Sequence, residues 1–235
     1  MSQGGLSAYL LHSKPYLDQK LLLDLLVQGH GRVRAVARRP AKRQGRSQYQ
    51  LFCPLWLELR GQGELKTVVK LEETQLPLQL TGRWLFSAMY LNELICRLFP
   101  ATVPAETLFE LYQRSLQVLA GVAANSAADE QKVLLEAILR RFELAVLAEL
   151  GQPLDLQHCV DGNVIEATAY YRWLPEQGMI RSGQGFRGAD LLAIAACDWQ
   201  PDSLRAAKQL CRQLLQPLLG QAPLLSRQLF QGYLA

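Results

Sequence analysis

Cysteine and histidine are scarce in this 235-residue chain, with five and three copies, and the scarcity narrows the chemistry. Cys53, Cys96, Cys159, Cys197 and Cys211 are odd in number, widely spaced and without a C-x-x-C pair, so neither a disulfide framework nor a complete zinc site is written here. Reduced thiols are expected. His12, His30 and His158 are scattered, and each reads as a surface or turn residue rather than a ligand or base. The chain also lacks G-x-x-x-x-G-K-[ST], H-E-x-x-H and G-x-S-x-G, and its carboxylates show no pairing at a spacing suited to shared acid-base work. No catalytic residue and no cofactor are expected, and the protein reads as a non-enzyme. No stretch approaches the run of about 20 apolar residues that a membrane helix needs. The first eleven residues lack a basic segment followed by an apolar one, so the expectation is a soluble cytoplasmic protein.

One motif looks like a phosphate loop: Gly183-Gln-Gly185-Phe-Arg-Gly188, a formal G-x-G-x-x-G. A dinucleotide site needs a buried hydrophobic strand before it and a second parallel strand about twenty residues later. Met179-Ile180-Arg181 is too short and polar for the first, and Asp198-Trp199-Gln200-Pro201 is no strand, so the glycines are expected to serve structure.

What is present is an uneven distribution of charge. The net +4 conceals residues 1–80 with 12 Lys+Arg against 6 Asp+Glu, and residues 81–235 with 13 against 15. Within the first third, Arg32, Arg34, Arg38, Arg39, Lys42, Arg43 and Arg46 are seven cations in fifteen residues that contain no acid. Such a cluster attracts a polyanion, and phosphates are the usual target because each neutralised phosphate releases a condensed counterion. The bland alternative is a solvated loop kept basic for solubility.

Up to about Glu73 the pattern is that of strands: Leu6-Ala8-Leu10, Leu21 to Leu26, Val33-Ala35-Ala37, Tyr49 to Leu59 and Leu65 to Leu71. Turn signals separate them at Lys14-Pro15, Gln28 to Gly31, the segment around Pro40 and Gly45, and Gly61-Gln62-Gly63. Five short strands in so small a span suggest a closed barrel of the OB type, because closure removes unpaired edges. Arg38 to Ser47 then connects the third and fourth strands. Tyr9, Tyr49, Phe52 and Trp56 lie on or beside the strands; each could offer a stacking face to a base, although a small barrel mostly buries its aromatics.

The period changes after Leu76 to Thr81, where a domain boundary is expected, with 1–78 as the barrel and 79–235 as a helical bundle domain. Helices are expected over Trp84 to Phe99, from Pro104 through Val122, from Asp129 to Leu150, over Ala189 to Cys197, over Asp202 to Leu219 and over Ser226 to Phe230. Residues 155–188, of mixed polarity and rich in glycine, read as a small hairpin insert. The fold class is therefore α+β. On the third helix, Arg140-Arg141-Phe142 flanks an apolar stripe, and cations beside a hydrophobic groove can capture an acidic, apolar peptide; salt bridges to Glu136, Glu143 or Glu149 are the structural alternative. Arg205, Lys208 and Arg212 form a basic stripe that either extends a nucleic-acid track or is an ordinary solvated face.

The residues also resemble a known family, the bacterial RecO recombination-repair proteins. The likeness runs through Tyr9-Leu-Leu-His12 with Pro15, Gly31-Arg-Val-Arg34 and the basic segment, Gln50-Leu-Phe-Cys-Pro-Leu55, Gly61-Gln-Gly-Glu-Leu-Lys66, Tyr90-Leu-Asn-Glu-Leu94, Leu139-Arg-Arg-Phe-Glu-Leu144, Leu150-Gly151 and Ser226-Arg-Gln-Leu-Phe230. The resemblance implies an N-terminal OB-fold, a helical bundle and a DNA-binding mediator. It implies contacts with single- and double-stranded DNA, annealing of complementary strands, an encounter with the acidic tail of single-strand DNA-binding protein, and work with RecR, RecF and RecA. The DNA site would comprise the seven clustered cations with Arg205, Lys208 and Arg212, and Arg140, Arg141 and Phe142 would take the tail. A protein-interaction scaffold whose basic loop meets an acidic partner is the rival reading. Many relatives carry two C-x-x-C pairs after the third helix. Here only Cys159 remains, Gly162 stands where its partner would fall, and the stretch before Phe186-Arg-Gly-Ala-Asp190 has no cysteine. No structural zinc is expected, and the insert should be held by Tyr170, Tyr171, Trp173 and Ile180.

Overall fold

The computed structural model describes residues 2–39, 49–101, 103–125 and 128–234. Alternating apolar residues put the first third into five strands: β1 (Ser2–Tyr16), β2 (Lys20–Val27), β3 (Gly31–Arg38), β4 (Pro54–Arg60) and β5 (Leu65–Glu73). They close into a barrel in the order β1-β2-β3-β5-β4, antiparallel throughout except for the β3–β5 pair. This is the expected OB-type barrel. Its interior is filled by residues two apart on β1 to β4, such as Leu23, Leu25 and Val27 on β2 and Val33, Ala35 and Ala37 on β3, with Val68 and Leu71 of β5 packed against them. Residues 49–53 are not strand, contrary to expectation. Phe52 takes a left-handed backbone (φ 60) and is buried, and its carbonyl accepts from Leu78 N at 3.1 Å.

Six helices follow: α1 (Gly82–Leu98), α2 (Glu106–Asn125), α3 (Ala128–Glu149), α4 (Gly188–Ala195), α5 (Pro201–Leu219) and α6 (Leu225–Leu234). All six are legible from apolar spacing, although α2 begins at Glu106 rather than at Pro104. None of the described helices is long and apolar enough to cross a membrane. The chain forms two compact units, Met1–Gly121 with Pro223–Ala235, and Val122–Ala222.

In the first unit, part of the outer barrel wall is covered. Tyr9 of β1 packs its ring against Phe109 and Tyr112 of α2 with centroids 5.5 and 5.2 Å apart, and Asn92 of α1 donates to Leu11 O at 2.9 Å while accepting from Tyr112 Oη at 2.6 Å. Gly31 opens β3 at φ 68, and a Cβ there would overlap the Val103 carbonyl, so only glycine permits this approach. The chain returns to α1 at its end: Glu93 accepts from the backbone N–H groups of Leu225 and Ser226 and from Ser226 Oγ, satisfying donors that the start of α6 leaves open.

In the second unit, the insert is a three-stranded sheet rather than a hairpin, with β6 (Tyr170–Leu174) between β7 (Gly178–Ser182) and β8 (Phe186–Arg187). Tyr171, Met179, Ile165, Leu156 and Phe186 are buried in it. Tyr170 points outward at 43% exposure, because its immediate neighbour Tyr171 takes the inner face. Two glycines of the G-x-G-x-x-G motif serve close packing: a Cβ on Gly185 (φ 124) would overlap the Tyr171 carbonyl, and one on Gly188 the Glu166 carbonyl, whereas Gly183 has open space around it.

Two enclosed thiols set an alkaline limit on stability. Cys96 on α1 is pushed up to about 12, first by burial and then by Asp24, and Cys211 on α5 is raised further, first by burial and then by Glu143. In the unfolded chain such thiols ionise near 9. Folding stability is therefore retained below about pH 8.5 and falls as pH rises beyond it, by about 1.4 kcal/mol per pH unit for each thiol, until the folded-state values are reached. Urea melts at about pH 8 and pH 10.5 check this, with the Cys96→Ala variant showing a shallower fall.

Candidate nucleic-acid interface

On β2 and β3 the side chains of even-numbered residues face out of the barrel, and this parity decides what each cation of the basic cluster does. Arg32 sits opposite Leu26 in the covered part of the wall. Its Nη2 lies 2.6 Å and its Nε 3.0 Å from Asp24 Oδ1, its Nη1 donates to Phe99 O at 3.0 Å, and the side chain is only 16% exposed. It is therefore corrected from a DNA contact to a brace between the barrel and the end of α1. Arg34, Arg38 and Arg39 are exposed, and none has a carboxylate partner among the described residues. The end of this series is fixed by the backbone, since Arg39 N donates to Gln19 O at 2.8 Å and Arg38 O accepts from Tyr49 Oη at 3.0 Å. Lys42, Arg43 and Arg46 lie outside the described residues.

The neighbouring β4–β5 face of the barrel has a different electrostatic character. On β4 and β5, Lys70 lies 2.8 Å from Glu72, stands opposite Glu58 and sits 4.9 Å over the Trp56 ring; the Glu72 carboxylate raises its pKa. Charge there is internally balanced, whereas on β2–β3 it is not. Among the aromatics that the sequence singles out, Tyr9 and Phe52 are core, Tyr49 and Trp56 are half-buried, and no face is left free on the first two. Among the described residues of the barrel, the exposed aromatic is a different one. Tyr16 is 38% exposed at the end of β1, and Lys14-Pro15, a turn signal in the sequence, is strand. Alternation through His12, Lys14 and Tyr16 is the signal that could have found it.

In the second unit, Arg205, Lys208 and Arg212 are exposed on α5, opposite its buried Leu204, Ala207, Leu210 and Cys211. Arg205 is already 3.0 Å from Asp202. The Arg140-Arg141-Phe142 triplet divides. Phe142 is wholly buried, and Arg140 lies 2.9 Å from Glu143, whose side chain is 1% exposed. Neither can present itself to a partner, which corrects both assignments. Arg141 is exposed and lines a groove of about 750 Å³ with Leu144, Ala148, Leu156, Ile194 and Trp199. The Trp199 Nε1 atom is enclosed there without a hydrogen-bond partner. Asp155 also lines the groove, but its carboxylate is engaged by the backbone N–H groups of Gln157 and His158 and by the His158 ring. These hold its pKa low, the Gln157 bond being the largest cause.

The insert does not suit zinc. No group of three or more His, Cys, Asp or Glu among the described residues could hold a metal ion. Gly162 N donates to Cys159 O at 3.0 Å in a tight turn, and burial together with Asp161 raises the Cys159 thiol.

A closed five-stranded barrel with a basic outer face, followed by a helical region, defines an OB-barrel protein. The family models for the N-terminal and C-terminal parts of Recombination protein O match residues 1–76 and 81–228. Similar full-length relatives, each named DNA repair protein RecO, come from Pseudomonas entomophila (43% identical, covering 95% of this chain and 96% of the relative), Pseudomonas putida strain W619 (43%, 97% of both) and Pseudomonas aeruginosa strain UCBPP-PA14 (42%, 96% and 94%). The chain belongs to the RecO family.

Proposed function

We propose that this protein acts in DNA repair as a non-enzymatic recombination mediator in the cytoplasm. It binds single- and double-stranded DNA through the barrel, anneals complementary strands and helps load RecA with RecR and RecF. The observation that carries the reading is the exposed, carboxylate-free set Arg34, Arg38 and Arg39 on one wall of an otherwise charge-balanced barrel. The uninterrupted run of basic sequence through Lys42, Arg43 and Arg46 extends that set. Cations without internal partners screen the phosphates of two strands and so lower the repulsion that opposes pairing. Arg205, Lys208 and Arg212 provide a second basic strip on α5, with Arg205 partly neutralised by Asp202. The acidic, apolar tail of single-strand DNA-binding protein docks in the Arg141 groove, with Arg141 on a carboxylate and the tail's apolar side chains against Leu144, Leu156 and Ile194.

The test is fluorescence anisotropy of a labelled single strand across a salt series, with annealing of two complementary strands measured in parallel. Log affinity is expected to fall linearly with log salt, with a slope of about 0.7 for each phosphate engaged, and annealing to weaken over the same range. Salt-independent binding, or tight binding to an acidic polypeptide with none to the oligonucleotide, would favour a protein-interaction scaffold instead.

A further inference from the structure

The exposed cations of β3 belong to a wider surface that continues onto the β1–β2 hairpin. The register sets Tyr16 opposite Lys20 and Lys20 opposite Arg38, so three strands contribute one cross-strand row, Tyr16–Lys20–Arg38. The next rows on the same face are Lys14–Leu22–Val36 and His12–Asp24–Arg34. Directly opposed residues share a face, and opposed like charges such as Lys20 and Arg38 cost stability. Nothing in the described fold offsets that cost. Asp24 is taken by Arg32, and among the described residues Lys14, Lys20, Arg34, Arg38 and Arg39 have no carboxylate partner. Asp18, exposed in the hairpin turn, is the acid nearest the row in sequence.

At the end of the row stands an aromatic ring. Tyr9, on the same strand, shows how an aromatic is used for packing here: it is 3% exposed, between Phe109 and Tyr112. Tyr16 is 38% exposed, and no ring contact involves it among the described residues. Beyond it Leu17 is 67% exposed with a left-handed backbone (φ 52), so the turn presents apolar surface outward. Lys14 and Tyr16 lie about 7 Å apart along the strand, which places a cation beside the ring on one side and Lys20 on the other. An unpartnered aromatic flanked by unpartnered cations matches the recognition of a single nucleic-acid strand, where bases stack on rings and phosphates follow the charge.

Building on the DNA reading above, we propose that Tyr16, with Lys14 and Lys20, is a base-stacking position that makes the barrel favour single strands over duplex. A continuous duplex offers no free base face, so only the phosphate contacts remain available to it. The experiment uses the full chain, a labelled oligothymidine and a relaxed, covalently closed circular duplex, and compares the native protein with Tyr16→Ala, Tyr16→Trp and Lys14→Ala/Lys20→Ala. Tyr16→Ala is expected to weaken single-strand binding about tenfold with the salt slope unchanged, and to leave duplex affinity as it was; Tyr16→Trp retains the native preference. The double lysine variant loses about 1.4 from the single-strand slope. If Tyr16→Ala weakens both ligands equally, or neither, while the native protein binds with its salt dependence intact, the stacking position is wrong and the DNA reading stands. If the native protein binds no oligonucleotide, both fail. Tight binding of polyglutamate in place of the oligonucleotide would assign the face to an acidic protein.

Discussion

Replacing Arg34, Arg38 and Arg39 together by alanine is expected to lower single-strand affinity about a hundredfold at low salt and to reduce the log–log salt slope by about 2. The change in slope follows from three phosphates that are no longer neutralised, at about 0.7 for each. Because the three side chains are exposed and without carboxylate partners among the described residues, their removal leaves the fold undisturbed, and the thermal midpoint should equal or slightly exceed that of the native protein, since the Lys20–Arg38 repulsion is relieved. Arg32→Ala is the contrasting control. That change removes the guanidinium joining Asp24 to the Phe99 carbonyl, so it should lower the midpoint while leaving the salt slope nearly unchanged. Anisotropy and melting curves on both variants separate the two roles. An unchanged slope in the triple variant would remove the outer face of β3 from the DNA site.

The adjacent arginines of α3 should behave as differently as those of β3. Arg140→Ala strips the ion-pair partner from Glu143, which is almost wholly enclosed, and breaking a buried pair by removing one member costs about 3–5 kcal/mol. Urea unfolding should record that loss. Replacing Arg140 and Glu143 together by Met and Leu should recover most of it, since well-packed apolar residues often substitute for a buried pair. Arg141→Ala should leave the unfolding free energy within about 0.5 kcal/mol of native. It should also weaken an acidic tail peptide about tenfold in titration calorimetry, while bare-strand affinity is preserved. Charge reversal of both arginines at once would confound the two effects, because the first change unfolds the groove that the second is meant to probe. Equal loss of peptide and DNA binding in Arg141→Ala would end this division of labour.

Much of the architecture is legible in the sequence because it depends on period and punctuation. A Leu-rich run marks β2, alternating Val and Ala mark β3, and Leu and Val mark β5; apolar residues three and four apart mark all six helices; and the uncompensated Arg run marks the barrel as the basic part of the chain. The departures share a cause, which is that local pattern does not carry strand register or pairing. Lys14-Pro15 looks like a turn, yet β1 continues to Tyr16, because a proline is tolerated where a strand needs no further N–H donor. Tyr49 to Cys53 looks like strand, yet Phe52 turns into the left-handed region and is buried. Tyr170 reads as core because it is of the same type as Tyr171, and which of two adjacent residues faces inward depends on strand register.

The sequence by itself determined the kinds of element, their order and the location of the excess charge, since these rest on residue spacing and on the conformational limits of glycine and proline. Only the tertiary structure decided which cations are available. Arg32 and Arg34 are alike in composition and spacing, but the Phe99 carbonyl that engages Arg32 comes from 67 residues further along. Arg140 and Arg141 are neighbours, but a rotation of about 100° per helical residue turns one toward Glu143 and the other toward the groove. A guanidinium serves the fold where folding brings it a buried carboxylate or carbonyl, and remains available to a phosphate where folding brings it none.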